Sequence, residues 1–193
     1  MIVKNIPIYD GNLIHKRFAY KYFRDRTLPI GNIIAFRAPM HVEAEGMIDT
    51  EDILNNDYIY SDDAVNFCWE IPKIDDFGAV SFQRLFNTQI ANILTTIINK
   101  PIEVDGDDLI VHAEHNQHGI IQMKGKASVS ITHLVNGAAV GHTAVNIVAG
   151  KKAPAFAYST NMTHEQVNEF MQKVVETFYK MTDDIFIATS KVI

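Results

Sequence analysis

Lys126 is the residue whose type and position point most directly to chemistry. It follows Lys124-Gly125 and opens the run Lys126-Ala127-Ser128-Val129-Ser130. A lysine set after a glycine turn, at the start of a strand, projects an ammonium into a cleft. There it meets a phosphate, or the charge developing between a carboxylate and a phosphate. Ser128 and Ser130 lie on the same predicted strand as further polar contacts for a substrate or nucleotide. The plainer reading is a hairpin turn with two solvated lysines, and spacing alone favours it. A second group is Gly141-His142-Thr143-Ala144-Val145-Asn146. In a strand, Ala144, Asn146 and Val148 share one face. Asparagine is disfavoured within strands, and a buried carboxamide must find partners. Asn146 therefore either holds a substrate carbonyl or a ribose, or satisfies a neighbouring strand. His142 and His133 are candidate bases. His133 shares its predicted face with Val129 and Ile131, which fits a core histidine better.

Other groups carry less. Arg37 ends an apolar segment, where it can clamp a phosphate bidentately or make a surface salt bridge. Asp49, Glu51, Asp52, Asp57, Asp62 and Asp63 form an acidic stretch. Carboxylates with substrate phosphates suit magnesium, although most such runs are solvated surface. His112, His115 and His118 recur every third residue beside Glu114. Three imidazoles and a carboxylate are metal-ligand types, but a strand running into a loop does not bring that spacing together, so an exposed hairpin is favoured and no metal site is assigned. Cys68 lies inside Val65-Asn66-Phe67-Cys68-Trp69 and reads as a packing thiol. No phosphate-loop, dinucleotide-binding or Gly-x-Ser-x-Gly pattern occurs.

The elements that must position these groups are legible from periodicity. Residues 12–24 carry an imperfect helical stripe through Leu13, Phe18, Tyr22 and Phe23. Residues 32–37 and 64–71 read as strands, closed by Pro39 and Pro72. Residues 49–55 read as a short helix. The clearest helix covers residues 81–99, with Phe82, Leu85, Phe86, Ile90, Ile93, Leu94 and Ile97 on one face and Ser81 as N-cap. Strands follow at 109–112, 120–123, 127–134 and 141–148. Lys124-Gly125 is read as one turn and Asn136-Gly137 as the strongest hairpin signal. Thr163 and Gln166 form a capping box for a last helix, whose stripe is Val167, Phe170, Met171, Val174, Val175 and Phe178; the helix resumes near Asp183. The order predicts an α+β fold, a mainly antiparallel sheet backed by helices on one face.

Composition narrows the class. The 193 residues are 47% hydrophobic and 21% charged, the profile of one globular domain spanning 1–193. A net charge of −6 argues against a basic groove for duplex nucleic acid. A single cysteine makes no internal disulfide, so a cytoplasmic or other reducing compartment is expected. No apolar run reaches the roughly 20 residues that span a bilayer, and residues 1–10 carry no signal-peptide core.

The run 126–133 (KASVSITH) with 141–147 (GHTAVNI) resembles the core of the lipoyl/biotin protein ligase and octanoyltransferase superfamily. There a lysine opens one strand, and the return strand ends in an apolar-Asn-apolar tripeptide. The whole chain is similar to a largely archaeal family, domain of unknown function 366. The segments that carry this likeness are Ile34-Ala35-Phe36-Arg37, Met47–Asp52, Tyr60-Ser61-Asp62-Asp63 and Ala188–Val192. The resemblance implies the fold of class II aminoacyl-tRNA synthetases and biotin ligases. It implies activation or transfer of a small carboxylic acid, often through an acyl-adenylate, with ATP and Mg. By the same resemblance Lys126 would contact the acyl-adenylate carbonyl and phosphate, Asn146 would shape the acyl pocket, and Arg37 would stand for an arginine that precedes a glycine pair. Here Arg37 is followed by Ala38-Pro39, and no cysteine lies near residues 154–157, where octanoyltransferases keep a nucleophile. The alternative is a non-catalytic module that binds a nucleotide or metabolite. Expected partners are a small carboxylate or nucleotide, with no membrane; a homo-oligomer is compatible with the sequence.

Overall fold

The computed structural model describes residues 1–14, 18, 22, 31–116 and 120–191. The predicted helix over 12–24 lies largely outside these residues. The main sheet contains β1 (Asn32–Val42), β2 (Ile59–Pro72), β6 (Ser128–Val135) and β7 (Ala138–Val148), in the order β1-β2-β7-β6, all antiparallel. A second antiparallel sheet joins β3 (Ile102–Asp105), β4 (Asp108–Asn116) and β5 (Ile120–Lys126). Three helices complete the chain: α1 (Thr50–Asn55), α2 (Asp76–Ile98) and α3 (His164–Thr189).

Period-2 alternation divides the main sheet into two unlike faces. Ile33, Ala35, Val65, Phe67, Trp69, Val145 and Ile147 point to one side. There they meet the buried stripes of α2 (Phe82, Phe86, Ile90, Leu94) and α3 (Val167, Phe170, Val174, Phe178). Ile34, Phe36, Ala38, Met40, Cys68, Val140 and Ala144 point to the other side. The N-terminal segment covers part of that second face through Tyr9 and Ile14. It is tied to the β1 edge by Val3 N–H to Ala35 O at 2.8 Å and His41 N–H to Tyr9 O at 2.9 Å.

Several local expectations are met. Thr163 Oγ1 accepts from Gln166 N–H at 3.3 Å, and Gln166 Oε1 accepts from Thr163 N–H at 2.9 Å. Gln166 Nε2 also donates to Ile97 O at 2.9 Å, joining the start of α3 to the end of α2. Asn136 and Gly137 both have positive φ (52° and 78°), as a two-residue hairpin of this twist requires.

Others are corrected. Helix α2 starts five residues earlier than predicted, because Asp75 caps it through Gly78 N–H at 2.7 Å and Ser81 is inside. Leu85 is 45% exposed and off the buried stripe. Strand β1 passes through Pro39, with a register shift between Ala38 and Met40 absorbing the missing donor. Lys124-Gly125 is no turn. Strand β5 runs through it, paired Val111 to Gly125 and Ile110 to Lys126. The glycine is needed because a Cβ there would stand 2.8 Å from Tyr158 Cβ. Helix α3 is continuous past Asp183. No helix among the described residues is long and apolar enough to cross a membrane.

Candidate functional site

A cavity of about 710 Å³ opens on the sheet face opposite α2 and α3. Its floor is sheet side chains, among them Met40, Val42, Val129 and Ile131; its wall includes the segment from Gly46 to Tyr60, which carries α1. This volume is in the range of small-molecule sites; the floor is largely apolar, and six carboxylates with Lys126, His142 and Asn146 supply a strongly polar lining.

Lys126 and Asn146 both line it. They are near neighbours because Asn146 N–H donates to Ala127 O at 2.8 Å, where the chain passes from β5 to β6. The backbone of Lys126 is clamped from the other side. Its N–H donates to Phe156 O, and its carbonyl accepts from Tyr158 N–H, both at 2.8 Å. The Lys126 ammonium donates to Asp108 Oδ1 at 2.8 Å. One of three N–H donors is thereby used, leaving two for the cavity. Burial raises the Asp108 carboxyl above its ordinary range, and the lysine hydrogen bond opposes that shift. Asn146 is only 5% exposed, yet its carboxamide has no hydrogen-bond partner among the described residues. Its carboxamide atoms are not sealed from solvent, so they stand open to a ligand in the cavity.

His142 also borders the cavity, 2% exposed, beneath the ring of Tyr9 at 3.7 Å between centroids and 14° between planes. Its Nε2 lies 3.0 Å from Asn66 Oδ1. Asn66 Nδ2 donates to Ala38 O and Ala64 O, so its Oδ1 is the acceptor and the histidine carries its proton on Nε2. Burial lowers the imidazolium pKa from 6.5 to about 3, so the ring is neutral at physiological pH. A measurable consequence follows. Below pH 6.5 the unfolded chain takes a proton that the folded chain refuses until about pH 3, so stability is full above 6.5 and declines through that window. The whole loss is roughly 4–5 kcal/mol, with about 3 kcal/mol gone by about pH 4.5. Urea unfolding of wild type and His142→Gln at both ends of the window checks this: the variant should lose less stability on acidification, and equal losses would refute the assignment.

Of the other predicted site residues, Ser128 and Ser130 also line the cavity, and their hydroxyls are bound to neighbours. Ser128 Oγ accepts from Leu109 N–H at 2.8 Å. Ser130 Oγ meets Gln83 Nε2 and Thr143 Oγ1, each at 2.9 Å, on the α2 side of the sheet. Arg37 is outside the cavity lining; its Nε donates to both Asp63 oxygens at 3.0 Å. His112 and Lys124 share Glu103 on the second sheet, each at 2.8 Å, and His118 lies outside the described residues. Cys68 is fully buried, and burial pushes its thiol pKa well up, which removes thiolate chemistry.

Sequence reasoning missed three contributors. Tyr9 is separated from His142 by most of the chain, and nothing local signals their stacking. Asn66 carried a usable signal, a carboxamide inside an apolar strand. Asp108 begins the strand that pairs with the one ending at Lys126, a relation that only the register reveals.

The family described as Domain of unknown function (DUF366) matches residues 1–193. An uncharacterised protein of Methanocaldococcus jannaschii, MJ0805, is 29% identical over 153 residues, 77% of this chain and 67% of that one. A protein of unknown function from Pyrococcus horikoshi has TM-score 0.81 and 23% identity, covering 100% of this chain and 96% of the other. The Aquifex aeolicus biotin protein ligase, solved with biotin and ATP, has TM-score 0.51 at 11% identity, covering 95% and 71%. The bi-partite lipoate protein ligase of Thermoplasma acidophilum has TM-score 0.50 at 13% identity, covering 83% and 77%. At such identities the likeness is one of fold, and the fold is the biotin/lipoate ligase type that the residues around Lys126 and Asn146 suggest.

Proposed function

Since the chain belongs to the DUF366 family and has the fold of biotin and lipoate protein ligases, we propose that its cavity binds a small carboxylic acid through Lys126 and Asn146. The observation that carries this reading is that the Asn146 carboxamide, without a hydrogen-bond partner among the described residues, and the Lys126 ammonium, with one of its three donors on Asp108, line the same cavity. Two fixed donors over an apolar floor match a carboxylate head with a hydrocarbon tail. The same donors stabilise negative charge developing on an acyl oxygen, which is electrostatic preorganisation. His142, neutral and stacked under Tyr9, positions the floor; a base whose conjugate acid has a pKa of about 3 removes protons poorly at neutral pH.

A bare ATP triphosphate does not fit the described residues. Asp49, Glu51, Asp52, Asp57, Asp107 and Asp108 line the cavity against one cation, Lys126, and Arg37 is paired elsewhere. No adenylation step is therefore derived. Activation through an acyl-adenylate is the second reading, supported by the ligase fold shared with a protein that binds ATP.

Hexanoate, octanoate, 6-aminohexanoate, biotin and lipoate form a suitable panel for thermal shift and ATP–pyrophosphate exchange. At least one acid should raise Tm. Exchange on top of the shift selects the ligase reading, and a shift without exchange selects the binding protein. No shift with any acid at millimolar concentration overturns the proposal.

A further inference from the structure

The charge around this cavity has the wrong sign for a simple fatty acid. Three of the six lining carboxylates are already engaged. Asp49 caps α1 through Glu51 N–H at 2.8 Å, Asp107 is 3.6 Å from Arg84, and Asp108 holds Lys126. Asp52 is different. It is partly buried on the wall, and its carboxylate makes no hydrogen bond or ion pair among the described residues. Desolvation first, and then Asp49 and Asp57 nearby, push its pKa up; Lys126 is the cation that offsets this, and it is bound to Asp108. The groups facing Asp52 are thus Asp49, Glu51 and Asp57 from its own element, and Lys126 from the sheet. A carboxylate left in that position favours a positive partner from the ligand.

The partner is not pointed to as a metal ion, because no group of three or more His, Cys, Asp or Glu among the described residues converges as a metal site. Dispersed carboxylates suit an organic cation, which donates single charge-assisted hydrogen bonds to them without a fixed coordination number. Asn146, nine-tenths buried and unpartnered in the same cavity, supplies the independent sign that a polar ligand belongs there.

We propose that the acid bound here is an amino-carboxylic acid, its carboxylate held by Lys126 and Asn146 and its ammonium by Asp52. The inference rests on the carboxylate-binding reading above and names its substrate class. Titration calorimetry with 6-aminohexanoate and with hexanoate, which differ by the ammonium alone, tests it. The amino acid should bind at least about tenfold more tightly, the scale of one charge-assisted hydrogen bond. Asp52→Asn should cancel most of that preference while leaving hexanoate affinity nearly unchanged. Equal binding of the two acids, or tighter binding of hexanoate, overturns this inference and leaves the carboxylate reading intact. Binding of neither acid overturns this inference, and the carboxylate reading falls with it only where no other acid of the panel raises Tm. A preference that persists undiminished in Asp52→Asn overturns the role given to Asp52.

Discussion

Lys126→Ala should weaken the best-binding acid of the panel by about 10–100-fold, because a charge-assisted contact worth roughly 1.5–3 kcal/mol is removed. If that acid also supports pyrophosphate exchange, the exchange rate should fall by about 10²–10³. The fold should survive. The lysine and Asp108 side chains are 31% and 30% exposed, so their ion pair is partly open to water and contributes modestly to stability. Asp108 then loses the hydrogen bond that opposes its burial, and its carboxyl rises further. Lys126→Arg separates charge from shape: it keeps the cation but changes its reach and donor geometry, so partial recovery is expected. Calorimetry and a thermal melt on the same samples decide the matter. Undiminished affinity in Lys126→Ala would remove the residue from the site.

Gly141→Ala should be strongly destabilising. Gly141 pairs with Trp69 across β7 and β2, and the indole occupies the space where a side chain at 141 would stand. An added Cβ would stand 2.2 Å from both Cε2 and Cζ2 of that ring. The ring cannot retreat, because it is fully buried against Phe82 at 5.2 Å and Phe86 at 6.5 Å between centroids. Overpacking of this kind costs roughly 3 kcal/mol or more. For a chain of this size that lowers Tm by about 6–12 °C. The protein has one tryptophan, so its fluorescence reports the displaced ring directly. Trp69→Leu in the same chain should recover part of the loss. A Gly141→Ala melt within a degree of wild type would contradict this packing.

Local patterns carried far in this chain, and their limits are physical. The capping box of α3 and the Asn136-Gly137 hairpin were legible because each involves groups within a few residues of one another. The stripe of α2 was legible for the same reason, though its true start depends on Asp75, six residues before the expected N-cap Ser81. Gly125 looked like a turn because glycine permits turns. Its actual reason is Tyr158, a neighbour only after folding. The lysine and carboxamide of the cavity were legible from their strands, as were Ser128 and Ser130, although nothing local showed that the two hydroxyls would be engaged by Leu109, Gln83 and Thr143. Asp49, Glu51, Asp52 and Asp57 drew notice within an acidic run, and they line the cavity because the chain between β1 and β2 folds over the sheet; Asp107 and Asp108 join them from the start of β4, which no local pattern indicated.

The backbone of Lys126 sits at a joint that is bonded on every side. Ala127 alone separates β5 of the three-stranded sheet from β6 of the four-stranded sheet, and its N–H and carbonyl are taken by Leu109 O and Asn146 N–H. Phe156 and Tyr158 grip the backbone one step before that joint. The side chain of Lys126 therefore starts from a main chain anchored by three separate stretches of sequence, and its reach into the cavity is set by its own rotamers and by Asp108.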